Sequence, residues 1–399
     1  MNILFLSIGR LDNINNRGIY TDLLRELRGR GHNIYVCCGR PKREGLPTEC
    51  VVEDGVTFVR TRTGNLTESN KIEKGIATLM LEGQFKAAIK KYLSNVKFDL
   101  VLYSTPPITL KGVVEFVKKR DNAKTYLLLK DIFPQNAVDI GLMGKKSIIY
   151  KYFRSKEKAF YKLSDYIGCM SPSNIRFLLK HNDYIDASKV EECPNSIEPI
   201  EIHRTKEEKI ETRNKYNIPT DRLAFVFGGN LGKIQAIDYL VEVMRSNKNN
   251  DKIYFVVIGS GNQEWILDKY IKEEKPTNIL KLKTLPKDDY ERLAASCDVG
   301  LIITDKRFTI PNFPSRLLSY LQESMPVLCA TDTSCDSGVI AEKGGFGYGC
   351  ISDSVEAFNS LIEKYESEED RIRMGQNGYK YLLEHYTVKR AADIILKHF

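Results

Sequence analysis

The residues with the clearest potential for chemistry lie in a glycine-rich loop in the second half of the chain. Residues 224–227 form a short apolar run that is typical of a buried strand. The loop that follows contains three glycines, Gly228, Gly229 and Gly232. Helical spacing begins at Gln235, and the free N–H groups and dipole of a helix N-terminus favour a phosphate. Lys233 would add a positive charge, although an ordinary strand-to-helix turn with a surface lysine explains the same pattern.

The elements that must position this loop alternate between strands and helices. The strand-like segments are apolar runs closed by turn residues, and they span residues 2–7, 33–38, 100–103, 125–130, 165–170, 190–193, 253–258, 279–282, 299–303 and 327–330. The helix-like segments span residues 19–30, 75–93, 147–163 and 314–323 and the tail from 354. Residues 40–75 are polar and irregular. Such alternation predicts parallel sheets covered by helices on both faces.

A charged segment at residues 196–222 interrupts this alternation, and the length of 399 residues is sufficient for two cores. We therefore predict an α/β protein with two Rossmann-like domains facing across a cleft. The N-terminal domain covers residues 1–200, and the C-terminal domain covers residues 201–384. Ligands of such sheets bind beyond the carboxyl ends of the strands, so the cleft is the predicted site.

Composition narrows the classes of function. The chain is 42% hydrophobic and 28% charged, which is typical of a soluble globular protein. Its net charge of +8 suits nucleic acid, an anionic membrane or an anionic substrate, but without a dense basic run we expect no nucleic acid partner. The nine cysteines include no C-x-x-C pair, so we expect reduced thiols and no metal site. Because no leader or bilayer-spanning stretch is evident, we expect a cytoplasmic protein or one bound to the membrane from that side.

Short motifs along nearly the whole chain together resemble a known family. They are Gly18, Gly31-His32, residues 131–134, Ser171-Pro172, Pro194-Asn195, residues 229–233, residues 259–261, Asp298-Val299, residues 314–320 and Pro326-Val327. In this order they resemble the GT-B glycosyltransferases of family 4, and among these the bacterial surface-polysaccharide branch. The resemblance implies that the C-terminal domain binds a nucleotide-diphosphate sugar and the N-terminal domain binds the acceptor. It also implies transfer with retention of configuration, and no metal or other cofactor, because protein groups neutralise the leaving diphosphate.

The resemblance implies a set of donor-binding residues. They are Gly18, Gly229, Asn230, Gly232, Gln235, Gly259, Leu285, Pro286, Ser315, Arg316, Leu317 and Ser319. Many members of the family carry Arg and Lys at the positions of Asn230 and Gln235. Lys233 is therefore the catalytic candidate for the diphosphate, with Gln235 and the Gly232 amide as helpers.

A second departure concerns two glutamates that many members carry. Their positions are occupied here by Pro311 and Ser319, so their roles on the sugar and ribose are not carried over. The surface-polysaccharide branch often has a Pro-Ser-Lys-like motif nearby, which residues 314–316 resemble. We expect backbone amides of residues 315–317 to face the diphosphate.

The acceptor half of the site rests on fewer residues. Many members have a His on the strand before Asp131, where this chain has Lys130. These two residues form a candidate catalytic pair, in which Asp131 orients the acceptor or takes its proton. Alternatively, Asp131 is structural and caps the turn before Pro134. The other acceptor-binding candidates are Asn16, Arg17, Ser104 and Thr105, and the last two lie in a proline turn at residues 104–107.

Lysines in the N-terminal half form three groups, at residues 86–91, 118–120 and 145–151. Solvated helix faces explain them, but so would a surface for anionic lipid headgroups. We expect a retaining enzyme that moves a sugar from a UDP-sugar to a lipid-linked oligosaccharide for capsule or O-antigen, peripheral on the inner face of the cytoplasmic membrane. The alternatives are a UDP-N-acetylglucosamine 2-epimerase and a non-catalytic nucleotide-sugar-binding subunit of a partner transferase.

Two further expectations concern the C-terminal half. Residues 385–399 contain Thr387, a plausible N-cap, and a helix with apolar spacing. In proteins that resemble this one, the last helix crosses back onto the N-terminal domain. The only tryptophan, Trp265, lies in a helix-like stretch and is expected in the core.

Overall fold

The computed structural model describes residues 1–66, 69–106, 108–202 and 204–399, with only the backbone described at residues 71 and 72. The chain forms two units. Unit 1 comprises Met1–Glu198 and Val388–Phe399, and unit 2 comprises Pro199–Thr387. The sequence-based boundaries, near 200 and 385, lie within a few residues of these.

The sheet of unit 1 is mostly parallel. Its strands are β1 Asn2–Ser7, β2 Asn33–Pro41, β3 Glu49–Glu53, β4 Val56–Thr63, β5 Leu100–Ser104, β6 Lys124–Leu129, β7 Tyr166–Cys169 and β8 Val190–Glu192. Their order is β3-β4-β2-β1-β5-β6-β7-β8, and only β3 and β4 pair antiparallel. The strands β1 and β5 are apolar runs buried on both faces, as a parallel sheet between helix layers requires. The order reverses between these two strands, which defines a switch point where ligands of such sheets bind.

The hairpin β3–β4 lies in the region that was predicted to be irregular, so that prediction was wrong. Its two-residue turn is Asp54-Gly55, with φ values of 48° and 73°. Positive φ at both positions is the type I′ geometry that Asp-Gly favours between twisted strands. The dipeptide signal was therefore present in the sequence.

The helices of unit 1 cover its sheet. They are α1 Ile19–Gly29, α2 Lys71–Tyr92, α3 Lys111–Asp121, α4 Gln135–Asp139, α5 Ile148–Leu163 and α6 Pro172–His181. The helix α2 begins four residues before the predicted start because Asn70 caps it, accepting a hydrogen bond from the Glu73 amide at 2.9 Å. The predicted proline turn after β5 includes Pro107, which lies outside the described residues.

The sheet of unit 2 is entirely parallel. Its strands are β9 Leu223–Gly228, β10 Ile253–Ile258, β11 Ile279–Leu282, β12 Val299–Ile303, β13 Val327–Thr331 and β14 Gly347–Ile351. The order β11-β10-β9-β12-β13-β14 reverses between β9 and β12, as in Rossmann-type sheets. The strand β14 was not predicted, because its alternating Gly347 and Gly349 lower its β-propensity.

The helices of unit 2 are α7 Lys206–Lys215, α8 Ile237–Ser246, α9 Glu264–Glu274, α10 Lys287–Ala295, α11 Arg316–Gln322, α12 Ser337–Lys343, α13 Val355–Ile362 and α14 Glu368–His385. The helix after the glycine loop starts at Ile237 rather than Gln235. A 3-10 turn at Lys233–Gln235 and a left-handed Ala236, with φ 41°, separate the loop from it. Trp265 is 59% exposed on α9, so the expectation that it lies in the core was wrong.

The last helix, α15 Val388–Leu396, belongs to unit 1. Its buried residues Val388, Ala391, Ala392 and Ile395 join the apolar cluster that contains the buried leucines of α1. Arg30 at the end of α1 pairs with Asp393 at 2.6 Å. The two chain segments of unit 1 are therefore held together by apolar packing between α15 and α1 and by an ion pair.

All nine cysteines are free thiols, as expected, and Cys37 and Cys38 are buried. Within the described ranges, none of the helices combines the length and apolar character needed to cross a bilayer.

Candidate active site

A pocket of about 470 Å³ opens at the switch point of unit 2. It lies at the carboxyl ends of β9 and β10 and beside the first residues of α11. Its lining residues are mostly small or polar in type, although apolar surface makes up the larger share of the walls, and they are Gly228, Gly229, Asn230, Ile258, Gly259, Ser260, Thr284, Leu285, Tyr290, Ser315, Arg316 and Ser319. The location is the one at which open parallel sheets bind their ligands.

Two loops of this pocket touch backbone to backbone. The Gly229 amide donates to the Ile258 carbonyl at 2.8 Å, and the Leu231 amide donates to the Ser260 carbonyl at 2.9 Å. Gly229 and Gly259 have φ values of 123° and 153°, and a Cβ at residue 259 would collide with the Gly229 carbonyl oxygen. Only glycine fits this approach, which leaves the pocket floor as bare backbone.

Arg316 supplies the charge of the pocket. Its guanidinium carbon lies 4.4 Å from the centre of the Phe227 ring, and a Cβ at residue 229 would collide with its Nη2 atom. The stacking holds the cation in place at low entropic cost. Among the described lining residues Arg316 is the only charged side chain, so the pocket carries a fixed positive charge and no carboxylate.

Several polar lining residues were not predicted. The Ser260 and Thr284 hydroxyl oxygens lie 3.2 Å apart, and the Tyr290 ring lies against Gly228. Burial raises the pKa of the Tyr290 phenol, which therefore stays a neutral hydrogen-bonding group at physiological pH. The sequence signal for Thr284 was its place two residues after β11, whereas Tyr290 lies inside α10 and has no such signal.

Lys233 does not line the pocket. It begins the 3-10 turn and its side chain is exposed, because the turn carries it away from the loop floor. Among its predicted helpers, Gly232 is buried and Gln235 is partly buried, with an Oε1 atom that has no hydrogen-bond partner in the described chain. Asn230 lines the pocket, and its side chain lies between Gly232 and Gly261.

The remaining donor candidates divide into two groups. Gly259, Leu285, Ser315, Arg316 and Ser319 line the pocket, as expected. Pro286 and Leu317 do not: Pro286 instead accepts a hydrogen bond from the Tyr290 amide at 2.9 Å. The Leu317 amide donates to the Pro314 carbonyl at 3.1 Å, so the expectation that it faces a diphosphate is corrected.

The two positions that correspond to the missing glutamates have different surroundings. Ser319 lines the pocket, whereas Pro311 is buried and is not among the lining residues. A hydroxyl at residue 319 is the only polar group that these two positions offer to a ligand.

In unit 1, Asp131 follows β6 at the carboxyl edge of the sheet. Its two carboxylate oxygens accept hydrogen bonds from the Ile132 amide at 2.8 Å and from Asn136 Nδ2 at 2.6 Å. Thr105 donates to the Asp131 carbonyl at 3.0 Å, so the predicted residues 105 and 131 lie together. Burial raises the Asp131 pKa to about 6, which leaves the group mostly ionised at neutral pH but close to its titration range.

Lys130 and Asp131 form no ion pair in the described structure, although they are adjacent. Burial lowers the Lys130 pKa to about 8, and the thiols of Cys193 and Cys169 lie near its amine. Neighbouring residues at a strand end face opposite sides, which separates the two side chains. The pair is therefore two separate groups with shifted pKa values in opposite directions.

The other unit 1 candidates surround the first loop. Ser104 accepts a hydrogen bond from the Tyr20 hydroxyl at 3.0 Å, and Tyr20 was not predicted. Asn16 is exposed and Arg17 partly so. The Gly18 amide donates to the buried Asp22 carboxylate at 2.8 Å. That amide is therefore engaged within its own helix start, and the donor-binding role of Gly18 stays a prediction.

Two α/β units of Rossmann type in one chain, with a pocket at the switch point of the second, are the architecture of the GT-B fold. Comparison with known proteins agrees with this fold. Residues 208–381, which lie within unit 2, match the model of the family described as "Glycosyl transferases group 1". The chain is a glycosyltransferase with the GT-B fold.

Individual relatives cover most of the chain. The sequence is 25% identical over 303 residues to "Probable glycosyltransferase WbjE" of Pseudomonas aeruginosa, which covers 74% of this chain and 73% of that protein. The fold is similar to WaaG, a glycosyltransferase involved in lipopolysaccharide biosynthesis, with a TM-score of 0.66, 14% identity and 99% of both chains covered. It is also similar to Anabaena HepE in complex with UDP-glucose, with a TM-score of 0.69, 13% identity, and 100% of this chain and 99% of that chain covered.

Proposed function

We propose that this glycosyltransferase moves a sugar, with retention, from a UDP-sugar to a lipid-linked oligosaccharide in the synthesis of capsule or O-antigen. Unit 2 binds the nucleotide sugar and unit 1 binds the acceptor. The similarity to WaaG, which acts in lipopolysaccharide biosynthesis, supports the product class. The similarity to HepE, which was solved with UDP-glucose, supports the nucleotide.

The observation that carries the proposal is the charge of the unit 2 pocket. Its floor is glycine backbone, its one charged lining residue among those described is Arg316, and hydroxyl groups complete the walls. A cation about 4 Å from a diphosphate oxygen contributes on the order of 4 kcal/mol at an effective dielectric constant near 20. Charge develops on the leaving diphosphate during transfer, so a fixed cation there lowers the barrier.

Arg316 also accounts for the departure from the family pattern in the glycine loop. Family members commonly carry a cation at the position of Asn230, and here the Arg316 guanidinium lies directly against Gly229, the neighbouring residue. The charge is then supplied from α11 instead of from the loop itself. We accordingly assign the neutralisation of the diphosphate to Arg316. The exposed Lys233, which has a flexible side chain, is the alternative source of positive charge.

We assign the removal of the proton from the acceptor hydroxyl to Asp131. Its carboxylate has a pKa of about 6, and it lies at the strand end beside Thr105 and Ser104. A carboxylate with this pKa can accept a proton from a hydroxyl at neutral pH. The two hydrogen bonds that Asp131 accepts from its own turn also suit a structural cap, and substitution distinguishes the two roles.

We further propose that the reaction needs no bound metal. Arg316 provides positive charge where a metal would otherwise neutralise the diphosphate. Within the described residues, none of the His, Cys, Asp and Glu side chains cluster as a metal site would require. Transfer rates that are equal with EDTA and with added Mg²⁺ would agree with this, and a rate that collapses in EDTA and returns with Mg²⁺ would refute it.

The experiment that tests the proposed function begins with a thermal-shift screen of nucleotide sugars. A ligand at 100 times its Kd stabilises the native state by about 2.7 kcal/mol, which raises Tm by roughly 5–10 °C in a domain of this size. The stabilising donor is then incubated with lipid-linked acceptor, and release of UDP with extension of the acceptor is measured. A 2-epimerase would convert the donor without an acceptor, and a non-catalytic subunit would bind it without turnover.

A further inference from the structure

Residues 142–152, here called the α5 tip, expose a group of large apolar side chains on unit 1. Ile148 is 85% exposed, Leu142 67%, Ile149 60% and Tyr152 43%. Large apolar side chains that are exposed together, rather than singly, mark an interaction surface.

The exposure is built into the backbone. The Leu142 amide donates to the Ala137 carbonyl at 2.9 Å, and Ser147 caps α5 by accepting from the Tyr150 amide at 3.1 Å. Within α5, residues 148, 149 and 152 have i, i+1 and i+4 spacing and therefore share one side of the helix. The neighbouring Phe153 packs on Phe133 with ring centres 5.0 Å apart, which anchors the helix to the unit. The apolar side chains are thus held outward by a fixed local structure.

The charges of the α5 tip all have one sign. Residues 140–156 contain no Asp or Glu, and Lys145, Lys146 and Lys151 are exposed between the apolar side chains. The nearest following carboxylate, Glu157, is buried and paired with Arg154 at 2.6 Å. An occupant of this surface must therefore accept apolar insertion and carry negative charge.

The other two lysine groups of unit 1 differ in this respect. Lys86 pairs with Glu82 at 2.7 Å, Lys118 with Asp165 at 2.8 Å and Lys119 with Glu115 at 2.9 Å. Lys90 and Lys91 lie over aromatic rings of their own unit. These charges are largely satisfied within the fold, so the structure separates the α5 tip from the other basic groups.

We infer that the α5 tip docks this enzyme on an anionic lipid bilayer, with Ile148, Ile149 and Leu142 inserted among the acyl chains and the three lysines at the headgroups. Apolar side chains flanked by cations suit the bilayer interface, where insertion and electrostatic attraction add. The α5 tip follows Asp131 closely in the chain and lies at the same edge of unit 1. A bilayer bound at the α5 tip would therefore hold a lipid-anchored acceptor close to the proposed acceptor residues. In this respect the inference rests on the proposed function, but vesicle binding itself does not.

The direct test is co-sedimentation of the full-length protein with vesicles of phosphatidylcholine alone or with about 30% phosphatidylglycerol. We expect binding only to the anionic vesicles. Replacement of Lys145, Lys146 and Lys151 by Gln should lower the partition coefficient on the order of 100-fold, because each lysine near the surface contributes roughly fivefold. The matched control replaces Lys90, Lys91 and Lys119 by Gln, which removes the same charge from the same unit and should have much less effect.

The apolar contribution is tested separately. Ile148→Glu should weaken vesicle binding about tenfold or more, since an exposed isoleucine loses its insertion energy. The controls are Leu79→Glu, at a residue that is 72% exposed on α2, and Trp265→Glu in unit 2. All these sites are on the surface, so Tm should stay within about 2 °C of wild type and loss of binding cannot be attributed to unfolding.

Insertion can be observed with a single tryptophan. In Trp265→Phe/Ile148→Trp the only indole lies at the α5 tip, and its emission should shift to the blue with anionic vesicles. Trp265→Phe/Leu79→Trp and the wild type, whose Trp265 is in unit 2, should show no shift. A shift at residue 79 instead of 148 would overturn the assignment of the surface.

Other results would also overturn the inference. The first is that the wild-type protein binds neither kind of vesicle. The second is that both triple lysine variants lose vesicle binding equally. The third is that the protein self-associates, Ile148→Glu abolishes this self-association, and no vesicle binding is seen. Donor stabilisation and slow donor hydrolysis are measured in the same variants and should be unchanged. If no nucleotide sugar stabilises the protein while vesicle binding maps to the α5 tip, the proposed function fails and the docking inference stands. If a nucleotide sugar stabilises the protein but vesicle binding does not map to the α5 tip, only the docking inference is rejected.

Discussion

The guanidinium of Arg316, on α11, occupies the space that a side chain at residue 229 would need, so a Cβ there would collide with Nη2. Gly229 thus does two things in this fold: it adopts a φ of 123° and it makes room for the cation of the donor pocket. The first two predictions follow from this relationship.

Gly229→Ala should weaken donor binding by about tenfold or more while leaving the protein folded. The new methyl group displaces Arg316, and the positive φ adds a backbone strain on the order of 1 kcal/mol. Isothermal titration with the donor nucleotide gives the Kd, and denaturant unfolding gives the loss of stability. The control is Gly75→Ala, at a position with nothing within 4 Å of the new Cβ, which should be neutral or slightly stabilising. Unchanged donor affinity in Gly229→Ala would remove Arg316 from the donor site.

Arg316→Ala should lower kcat/KM, and the loss should correspond to about 2–4 kcal/mol of transition-state stabilisation. This is the magnitude for removal of one fixed donor to a developing charge. Arg316→Lys should recover only part of the loss, because an ammonium neither stacks on Phe227 nor spans two phosphate oxygens in the same way. Lys233→Ala is the matched comparison and should stay within a few fold of wild type. A large loss in Lys233→Ala with a small one in Arg316→Ala would return the diphosphate role to Lys233.

Asp131→Asn should reduce transfer by about 10²–10⁴-fold if the carboxylate takes the acceptor proton, with donor binding unchanged. In the wild-type enzyme the rate should rise with pH as the group ionises near its pKa of about 6. Transfer by Asp131→Asn that equals wild type and keeps the same pH profile would leave Asp131 as a structural cap of its turn.

Asp131 should also leave a signature in stability. Its pKa in the folded state is raised above the ordinary value near 3.8, so the folded form binds the proton more tightly than the unfolded chain. The free energy of unfolding should therefore fall as pH rises from about 4 to 6 and then level off. Asp131→Asn should lack this contribution, a difference on the order of 2–3 kcal/mol that chemical denaturation at pH 4 and pH 7 can measure. An identical pH dependence in the two proteins would contradict the raised pKa.

Deletion of residues 387–399 should destabilise unit 1 and spare unit 2. The deletion removes α15, whose Ile395 and Ala392 are fully buried against the core of unit 1, and the Arg30–Asp393 pair. Limited proteolysis should then cleave unit 1 first, transfer should fall sharply, and the donor should still raise the Tm of unit 2. Ile395→Ala, which should cost about 2–5 kcal/mol, is a milder version of the same test. Loss of donor binding after the deletion would show instead that unit 2 depends on this helix.

Continuous apolar runs allowed much of the fold to be predicted. The strands β1, β10, β11 and β12 begin and end at the predicted residues. For β1, β10 and β12 the reason is that a strand buried on both faces is apolar along nearly its whole length, whereas β11 is a half-buried edge strand. The errors occurred where this signal is weak. In the hairpin, β3 is a short, partly exposed edge strand and β4 carries Thr and Arg residues among its apolar ones, and β14 contains two glycines.

The donor site shows the limit of reading one stretch of chain at a time. The sequence determined that residues 228–232 form a glycine loop at a strand end, and the backbone there does form a pocket floor. It also placed Lys233 beside that loop, but a 3-10 turn and the left-handed Ala236 direct Lys233 to the solvent. Whether a charge next to a loop in sequence is next to it in space depends on those few dihedral angles.

Only the tertiary structure decided which cation faces the pocket. Arg316 was one residue in a predicted donor motif on α11, and its contact with Gly229 arises because β9 lies beside β12 in the sheet. In the same way, the sequence showed three lysine groups, and only the packing of unit 1 showed that two are satisfied and that the α5 tip is exposed. Apolar periodicity reports local burial, whereas electrostatic partners come from strand order and helix packing between residues far apart in the chain.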